Sequence, residues 1–152
     1  MAWEQWALVF LPLGAAIGNP DQHVVCVTSE GSIQMNIQEL GTCMQHNIPV
    51  TIVCLNNSFL GMVKQWQELF HGERYSSVHM EIQPDFIKLV EAYNQQGIRI
   101  DDPALVEPTL RKALERTDKG ILFIDILVDR SENVFPMIAA GKGLSEMTFR
   151  KT

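Results

Sequence analysis

Short apolar runs alternate with longer helical patterns along the chain. Continuous apolar runs at His23–Thr28, Val50–Leu55 and Ile121–Val128 are predicted as strands, because parallel strands that are covered on both faces lack a polar alternation. Ile98–Ile100 is predicted as a short fourth strand. Strands separated by helices form βαβ units around a parallel sheet. We therefore expect an α/β protein with three layers, in which a parallel sheet of at least four strands has helices on both faces.

The helical patterns fill the intervals between these strands. Ser32 is the expected N-cap of the first helix, because serine accepts a hydrogen bond from the free N–H groups of a helix start. Pro84 and Pro108 are each expected in the first turn of a helix, where the missing N–H of proline is tolerated. The tail after Ser131 is expected to be irregular. The predicted helices cover Ser32–His46, Gly61–Phe70, a stretch from Pro84 to about Asn94, and a stretch centred on Leu110–Arg116 that begins at Pro108.

The composition is that of a globular domain and does not indicate a nucleic-acid or membrane partner. The 152 residues are 46% hydrophobic and 20% charged, which excludes a disordered chain and fits a single domain over residues 1–152. The net charge of −6 argues against a nucleic-acid or anionic membrane surface. The apolar segment Ala7–Leu13 is too short to span a membrane. The odd number of three cysteines argues against a disulfide framework, and we expect a cytoplasmic protein.

The charges are unevenly placed along the chain. No lysine or arginine precedes Lys64. An anion bound by the first third of the protein must therefore be held by backbone N–H groups or by a metal ion. A further charge, Asp125, interrupts the last apolar run; it is either a buried functional carboxylate or a residue at a strand end or an interface.

Two predicted strand ends carry small polar residues. The first strand is followed by Ser29-Glu30-Gly31-Ser32 and the second by Asn56-Asn57-Ser58. A helix N-terminus offers free N–H groups to a phosphate, while a Glu carboxylate and an Asn amide oxygen are hard ligands suited to Mg²⁺. These residues are compatible with a metal–diphosphate site. They are also compatible with an ordinary helix cap, which short motifs of this kind more often form, so the residues alone leave both interpretations open.

The longer text around these residues resembles a known family. TSEGSIQMNIQEL followed by VCLNN resembles the bipartite motif of thiamine-diphosphate enzymes, Gly-Asp-Gly followed at a fixed interval by Asn-Asn. The stretches LGMVKQWQELF, ERYS, PDFIKLVEAY and ENVFPM are similar to the C-terminal cofactor domain of acetolactate (acetohydroxyacid) synthase, the large catalytic subunit. The resemblance extends from about Leu11 to Met147 and implies the thiamine-diphosphate-binding domain fold.

The resemblance implies roles for the residues at the two strand ends. Glu30 occupies the place of the family's metal-binding aspartate, and Asn57 occupies that of the second metal ligand, beside the cofactor. Phe59 would add its backbone carbonyl to the metal. Gly31 and Ser32 would offer N–H groups to the diphosphate. The implied cofactors are thiamine diphosphate and Mg²⁺, whereas FAD is not expected in this domain.

The resemblance also implies a substrate side to the site. Met62 lies where the family places a residue against the thiazolium ring, and Trp66 lies where a tryptophan lines the substrate pocket. Gln65–Tyr75 resembles the segment that covers the active site. Similar enzymes decarboxylate pyruvate and join the product to a second 2-oxo acid, in the synthesis of branched-chain amino acids. The cofactor carries that carbanion chemistry.

The sequence departs from the family pattern at functional positions. Ser29-Glu30-Gly31 replaces Gly-Asp-Gly, so the carboxylate stands one methylene further out and Ser29 adds a Cβ where glycine permits positive φ. We therefore expect weakened binding of cofactor and metal. Val9 stands where a methionine normally supports the cofactor, and Met1–Phe10 replaces a glycine-rich entry.

The chain holds no complete catalytic set. The family's pyrimidine-binding domain, whose glutamate activates the cofactor, and its central domain do not fit into 152 residues. The isolated chain is therefore expected to be inactive and truncated relative to the family, and whether it is an enzyme stays open. Two alternatives also stay open: one half of a split enzyme, or a degenerate, non-catalytic interaction module. The expected partners are further copies of this chain or a chain that supplies the pyrimidine-binding domain.

Overall fold

The computed structural model describes residues 11–149, which form two compact units. The sheet unit comprises residues 11–57 and Ile82–Val128, and the second unit comprises Ser58–Glu81 and residues 129–149. The predictions for Met1–Phe10, including the one for Val9, lie outside the described residues. That residues 1–152 make one domain stays a prediction.

The sheet unit contains four strands that are all parallel. They are β1 (Val24–Ser29), β2 (Val50–Asn56), β3 (Gln96–Ile100) and β4 (Ile121–Leu127). Their order in the sheet is β1-β2-β4-β3. The four predicted strands are therefore confirmed, each with bounds that differ from the prediction by one or two residues.

Helices lie on both faces of this sheet, and one face of β1 stays exposed. Alternate residues of β2 and β4, such as Ile52 and Phe123, belong to one apolar cluster, which the helices at the start of the chain and α5 complete. The intervening residues, such as Val53 and Ile124, belong to a second cluster with α6. This alternation is the pleat of a strand that is buried on both sides. The helices of the sheet unit are α1 (residues 11–18), α2 (Glu30–Gln34), α3 (Glu39–His46), α5 (Phe86–Ala92) and α6 (Val106–Leu114), and α4 (Gly61–Phe70) lies in the second unit.

The single helix predicted over Ser32–His46 is wrong in one respect, because the structure divides it into α2 and α3. Between them the N–H groups of residues 35, 36 and 39 bond to the carbonyl three positions earlier, which is the tighter 3₁₀ pattern. The predicted N-cap is also wrong: Ser29 caps α2, and Ser32 lies inside it. The apolar residues at helical spacing in this segment are buried at Ile33 and Leu40 but exposed at Met44.

The later helices follow the sequence signals closely. The bounds predicted for α4 are confirmed. Asp85 caps α5 through a hydrogen bond from Ile87 N, so Pro84 precedes the helix, and its predicted place in the first turn is wrong. Pro108 is the third residue of α6 rather than the first; it still lies in the first turn, where the N–H groups have no helical acceptor.

The second unit is held together mainly through α4. The Gln65 side chain is buried, and its amide accepts from Val134 N at 3.0 Å and donates to Val134 O at 2.8 Å. Apart from a 3₁₀ turn at Leu144–Glu146 and an antiparallel bridge between Met137 and Thr148, the tail is irregular as predicted. Within the described part of the chain, no helix is long and apolar enough to cross a bilayer.

The three cysteines are buried thiols in the sheet unit. Burial raises the pKa of Cys43 to about 12 and also raises the pKa of Cys26 and Cys54. Because the thiolate is the reactive form, we expect the native protein at pH 8 to react with Ellman's reagent at least ~100-fold more slowly than the protein in guanidinium chloride. All three thiols should react in the denatured chain. Rapid titration of one thiol in the native protein would contradict this placement.

Candidate functional site

The two predicted halves of the site leave the sheet at the same edge. β1 and β2 are adjacent and parallel, and Ser29 at the end of β1 is in register with Leu55 of β2. Neighbouring strands lie about 4.8 Å apart. The residue after β1 is Glu30 and the residue after β2 is Asn57, so the structure brings these two predicted metal ligands to the carboxyl ends of adjacent strands. Ligands of open α/β sheets bind outside that edge.

Glu30 is the first residue of α2 and is fully buried. A carboxylate in the first turn of a helix is favoured by the helix dipole. Taking a carboxylate out of water is nevertheless costly, and a cation bound to it would offset that cost. The position of Glu30 is therefore compatible with the role that the sequence predicts for it.

Ser29 does not occupy a backbone conformation that requires glycine. Its φ of −122° and ψ of 165° are extended and open to any residue. The expectation that a Cβ at this position conflicts with a positive φ is therefore wrong for this chain. Its hydroxyl caps α2, since it accepts a hydrogen bond from Ser32 N at 3.4 Å and donates one to Ser32 Oγ at 3.1 Å.

Gly31 and Ser32 are the second and third residues of α2. Ser32 is buried and Gly31 is partly exposed. The N–H of Ser32, which the resemblance assigns to the diphosphate, already faces the hydroxyl of Ser29. At 3.4 Å that hydrogen bond is long for an N–H donor. A phosphate oxygen could therefore replace the Ser29 hydroxyl as the acceptor of this N–H at little cost.

Asn57 follows a residue that is held from several sides. Asn56 is buried at the end of β2, and its Nδ2 donates to Asp125 Oδ1 at 3.1 Å. Asn57 itself is half-buried. Asp125 is fully buried on β4, two residues before the end of that strand; that it is functional stays a prediction. Its contact with Asn56 cannot be read from sequence, because the two residues are 69 positions apart.

The other predicted site residues belong to the second unit. Phe59 follows Ser58, whose φ is +59°, and its ring stacks on His79 with centroids 4.6 Å apart. Met62 is an exposed residue of the first turn of α4, and Trp66, half-buried on the same helix, packs against Phe70. The structure thus brings Glu30, Gly31, Ser32 and Asn57 together in the sheet unit, and Phe59, Met62 and Trp66 share one segment of the second unit.

The donor set fits a magnesium ion that is only partly held by protein. Residues 11–149 contain no group of three His, Cys, Asp or Glu side chains that could hold a metal. Mg²⁺ uses one or two carboxylates together with phosphate oxygens and waters, and one carboxylate with one amide oxygen matches that pattern. Thr28, the residue of β1 just before Ser29, also has a buried hydroxyl oxygen for which the structure shows no hydrogen-bond partner.

Two cavities of the sheet unit lie elsewhere. One of about 450 Å³ is at the amino-terminal ends of the strands, against His23, Val50 and Gly120. The other, of about 670 Å³, lies between α6 and β3, against Ile98 and Ala113. None of the predicted site residues lines either cavity.

The comparisons with known proteins agree with this geometry. The family model "Thiamine pyrophosphate enzyme, C-terminal TPP binding domain" matches residues 11–126. The acetolactate synthase isozyme 3 large subunit of Escherichia coli (strain K12) is 48% identical over 141 residues, which are 92% of this chain and 25% of that protein. The acetolactate synthase large subunit of Haemophilus influenzae is 50% identical over 139 residues, 91% of this chain and 24% of that protein. That of Cyanidium caldarium is 42% identical over 138 residues, 89% and 23% of the two chains.

A solved structure shares the fold. The thiamine diphosphate-dependent 4-hydroxybenzoylformate decarboxylase of Rhodococcus jostii RHA1 superposes with a TM-score of 0.70 and 24% identity, over 82% of this chain and 23% of that one. The chain spans about a quarter of the length of the curated relatives that it matches. Its parallel sheet and these matches agree: the chain belongs to the thiamine pyrophosphate enzymes as a C-terminal TPP-binding domain, and resembles that of acetolactate synthase large subunits.

Proposed function

We propose that this chain provides the magnesium and diphosphate half of an acetolactate-synthase-type active site. The observation that carries the proposal is the register of β1 and β2, which leaves Glu30 and Asn57 at the same edge of adjacent strands. Two oxygen donors at one sheet edge, beside a helix start and in a part of the chain with no lysine or arginine before Lys64, favour an anion that is bound through a metal ion.

The residues of the chain divide the task of binding. The Glu30 carboxylate, the Asn57 amide oxygen and the Phe59 carbonyl would hold Mg²⁺, and the N–H groups of Gly31 and Ser32 would face the diphosphate. When bound, thiamine diphosphate supplies the carbanion chemistry, while the protein positions it. Met62 would support the thiazolium side of that cofactor and Trp66 would line the pocket of a 2-oxo acid.

The complete reaction needs more polypeptide than these 152 residues. The relatives are about four times as long as the part that matches, and the family's activating glutamate belongs to another domain. We therefore propose that this chain works in a homo-oligomer of a longer protein or beside a second chain. The exposed face of β1, where Val25 and Val27 are 41% and 57% exposed, supports a covering partner, because parallel sheets are normally covered on both faces.

The alternative is a non-catalytic interaction module, and one observation favours it. Glu30 stands where the family has aspartate, and Mg²⁺ tolerates little departure from octahedral geometry at about 2.0–2.1 Å. A glutamate that is buried at the start of α2 has little room to compensate for its extra methylene. Under this alternative the fold is retained and the cofactor is lost.

The two functions are separated by cofactor binding to the purified chain. Calorimetric titration with thiamine diphosphate should show binding that requires Mg²⁺. Because Asn57 donates a metal ligand in the proposal, Asn57→Ala should weaken that binding at least about tenfold. Asn47→Ala, at the left-handed C-cap of α3, is the control that should bind like the native chain. Absence of binding in both the native chain and its Glu30→Asp variant would favour the interaction module.

A further inference from the structure

We propose that Asp125 is a positioning residue for the metal-binding loop, because its buried carboxylate fixes the Asn56 side chain and thereby the backbone that presents Asn57. The inference rests on the proposed function, which assigns Asn57 to the metal. It adds a residue 68 positions further along the chain, on a strand that contributes no ligand to the site.

The Asp125 carboxylate is fully buried and uses both of its oxygens. Oδ1 accepts from Asn56 Nδ2 at 3.1 Å. Oδ2 accepts from Arg99 Nε at 3.0 Å, which is also an ion pair. The register of the sheet explains the second contact, since Asp125 and Arg99 are direct neighbours on β4 and β3. The two bonds fix the plane of the carboxylate between two strands.

Asn56 is held on three sides as a result. Besides its bond to Asp125, its Oδ1 accepts from Gln83 Nε2 at 3.3 Å, and its backbone carbonyl accepts from Val128 N at 2.9 Å. The residue is only 3% exposed. Because Asn57 is the next residue, a fixed Asn56 leaves the Asn57 backbone little freedom to rotate away from the edge of the sheet.

Arg99 extends the same network to the start of α5. Its Nη2 donates to Asp85 Oδ1 at 3.1 Å, and Asp85 is the N-cap of that helix. The chain leaves the sheet unit after Asn57 and returns to it at Ile82. The network of Asp125 therefore holds Asn56, just before the chain leaves the sheet unit. Through Arg99 it also reaches Asp85, three residues after the chain returns.

A purely structural role would not require a charge at this place. The residues of β4 on the same face, Ile121 and Phe123, are apolar and fully or nearly fully buried. Burying a carboxylate costs free energy that an apolar residue would not cost, and buried ion pairs are often replaceable by apolar groups without loss of stability. On this face of β2 and β4 the polar residues Asn56 and Asp125 lie at the carboxyl ends of the strands, beside Asn57, which is what a positioning role requires.

Asp125→Asn is the first test, since it keeps the shape and changes one acceptor into a donor. The variant removes the charge that pairs with Arg99, and its new N–H group replaces an oxygen that accepts from Asn56 or from Arg99. We expect the Mg²⁺-dependent affinity for thiamine diphosphate to fall about tenfold, the lower end of the effect of outer-shell partners. Ile124→Val, at the neighbouring position on the opposite face of β4, is the control that should keep its affinity.

The second test exchanges the two groups. Asn56→Asp alone places two carboxylates face to face and should weaken binding, whereas Asn56→Asp combined with Asp125→Asn restores every donor and acceptor. The double variant should recover to within about threefold of the native affinity. Such recovery shows that the contact between the two residues sets the affinity, and failure of the double variant to bind better than either single variant would overturn the proposal.

A measurement without cofactor keeps the inference independent of the proposed function. Hydrogen exchange of the Val128 amide, which donates to Asn56 O, should accelerate about tenfold in Asp125→Asn. Exchange of core amides such as that of Ile52 should change no more than in Ile124→Val. Unchanged exchange at Val128 would overturn the positioning role even if the cofactor binds. Accelerated exchange in a chain that binds no cofactor would instead refute the proposed function alone.

Discussion

Replacing Phe123 by alanine is expected to lower the free energy of unfolding by about 3–5 kcal/mol, the usual cost of removing a buried aromatic side chain. Phe123 is fully buried on β4, between β2 and β3 in the sheet. Its ring stacks on Phe86 of α5 with centroids 6.0 Å apart. The substitution therefore removes packing from the strand and from the helix above it.

Urea denaturation followed by circular dichroism measures this loss. Phe149→Ala is the matched control, because Phe149 is 73% exposed and its removal should change stability by no more than about 0.5 kcal/mol. A Phe123→Ala protein that unfolds within about 1 kcal/mol of the native chain would show that the apolar cluster on this face is not packed as described.

Glu30→Asp is expected to tighten Mg²⁺-dependent binding of thiamine diphosphate about 100-fold, or roughly 2.8 kcal/mol. The reason is geometric. Glu30 is buried in the first turn of α2, so its longer side chain cannot retract freely, and Mg²⁺ demands ligands at about 2.0–2.1 Å in octahedral positions. Aspartate shortens the side chain by one methylene and moves the carboxylate toward the strand end.

Glu39→Asp is the control for this experiment. Glu39 is the first residue of α3, as Glu30 is of α2, so the same shortening occurs at an equivalent helical position away from the proposed site. Titration calorimetry should show native affinity for Glu39→Asp. Equal affinities of the native chain and Glu30→Asp would contradict the geometric account of Glu30.

The fold could be predicted where the signals are local. The runs of β2 and β4 are apolar on both faces and flanked by turns, which leaves a buried parallel strand as the natural interpretation. The bounds of α4 follow from its periodicity and from Gly72, whose φ is +61° just beyond the helix. These features depend on residues within a few positions of one another.

The break between α2 and α3 could not be predicted in this way. The apolar spacing of the segment is continuous, and Ile33 and Leu40 are both buried. The interruption depends on a few i→i−3 hydrogen bonds around Asn36, which is itself fully buried. Periodicity does not distinguish such a turn from one more turn of α-helix.

The candidate site shows the same division. That Glu30 and Asn57 lie at one edge of the sheet could be predicted, because the ends of neighbouring parallel strands share one edge; their binding of a metal stays a prediction. The contacts of Asp125 could not be predicted, because its neighbours on other strands are set by register. A sequence states that an aspartate interrupts an apolar run, whereas only the paired strands show that Arg99 and Asn56 stand beside it.

The place of β1 at the margin of the sheet has a consequence for the handling of this polypeptide. One side of β1 pairs with β2, and no described strand pairs with its other side. Natural edge strands are commonly protected by lysine, proline or a bulge, yet the sequence VVCVTS contains no charge and no proline. Where nothing else shields it, this strand is the segment from which intermolecular β-pairing, and hence aggregation, starts in concentrated preparations.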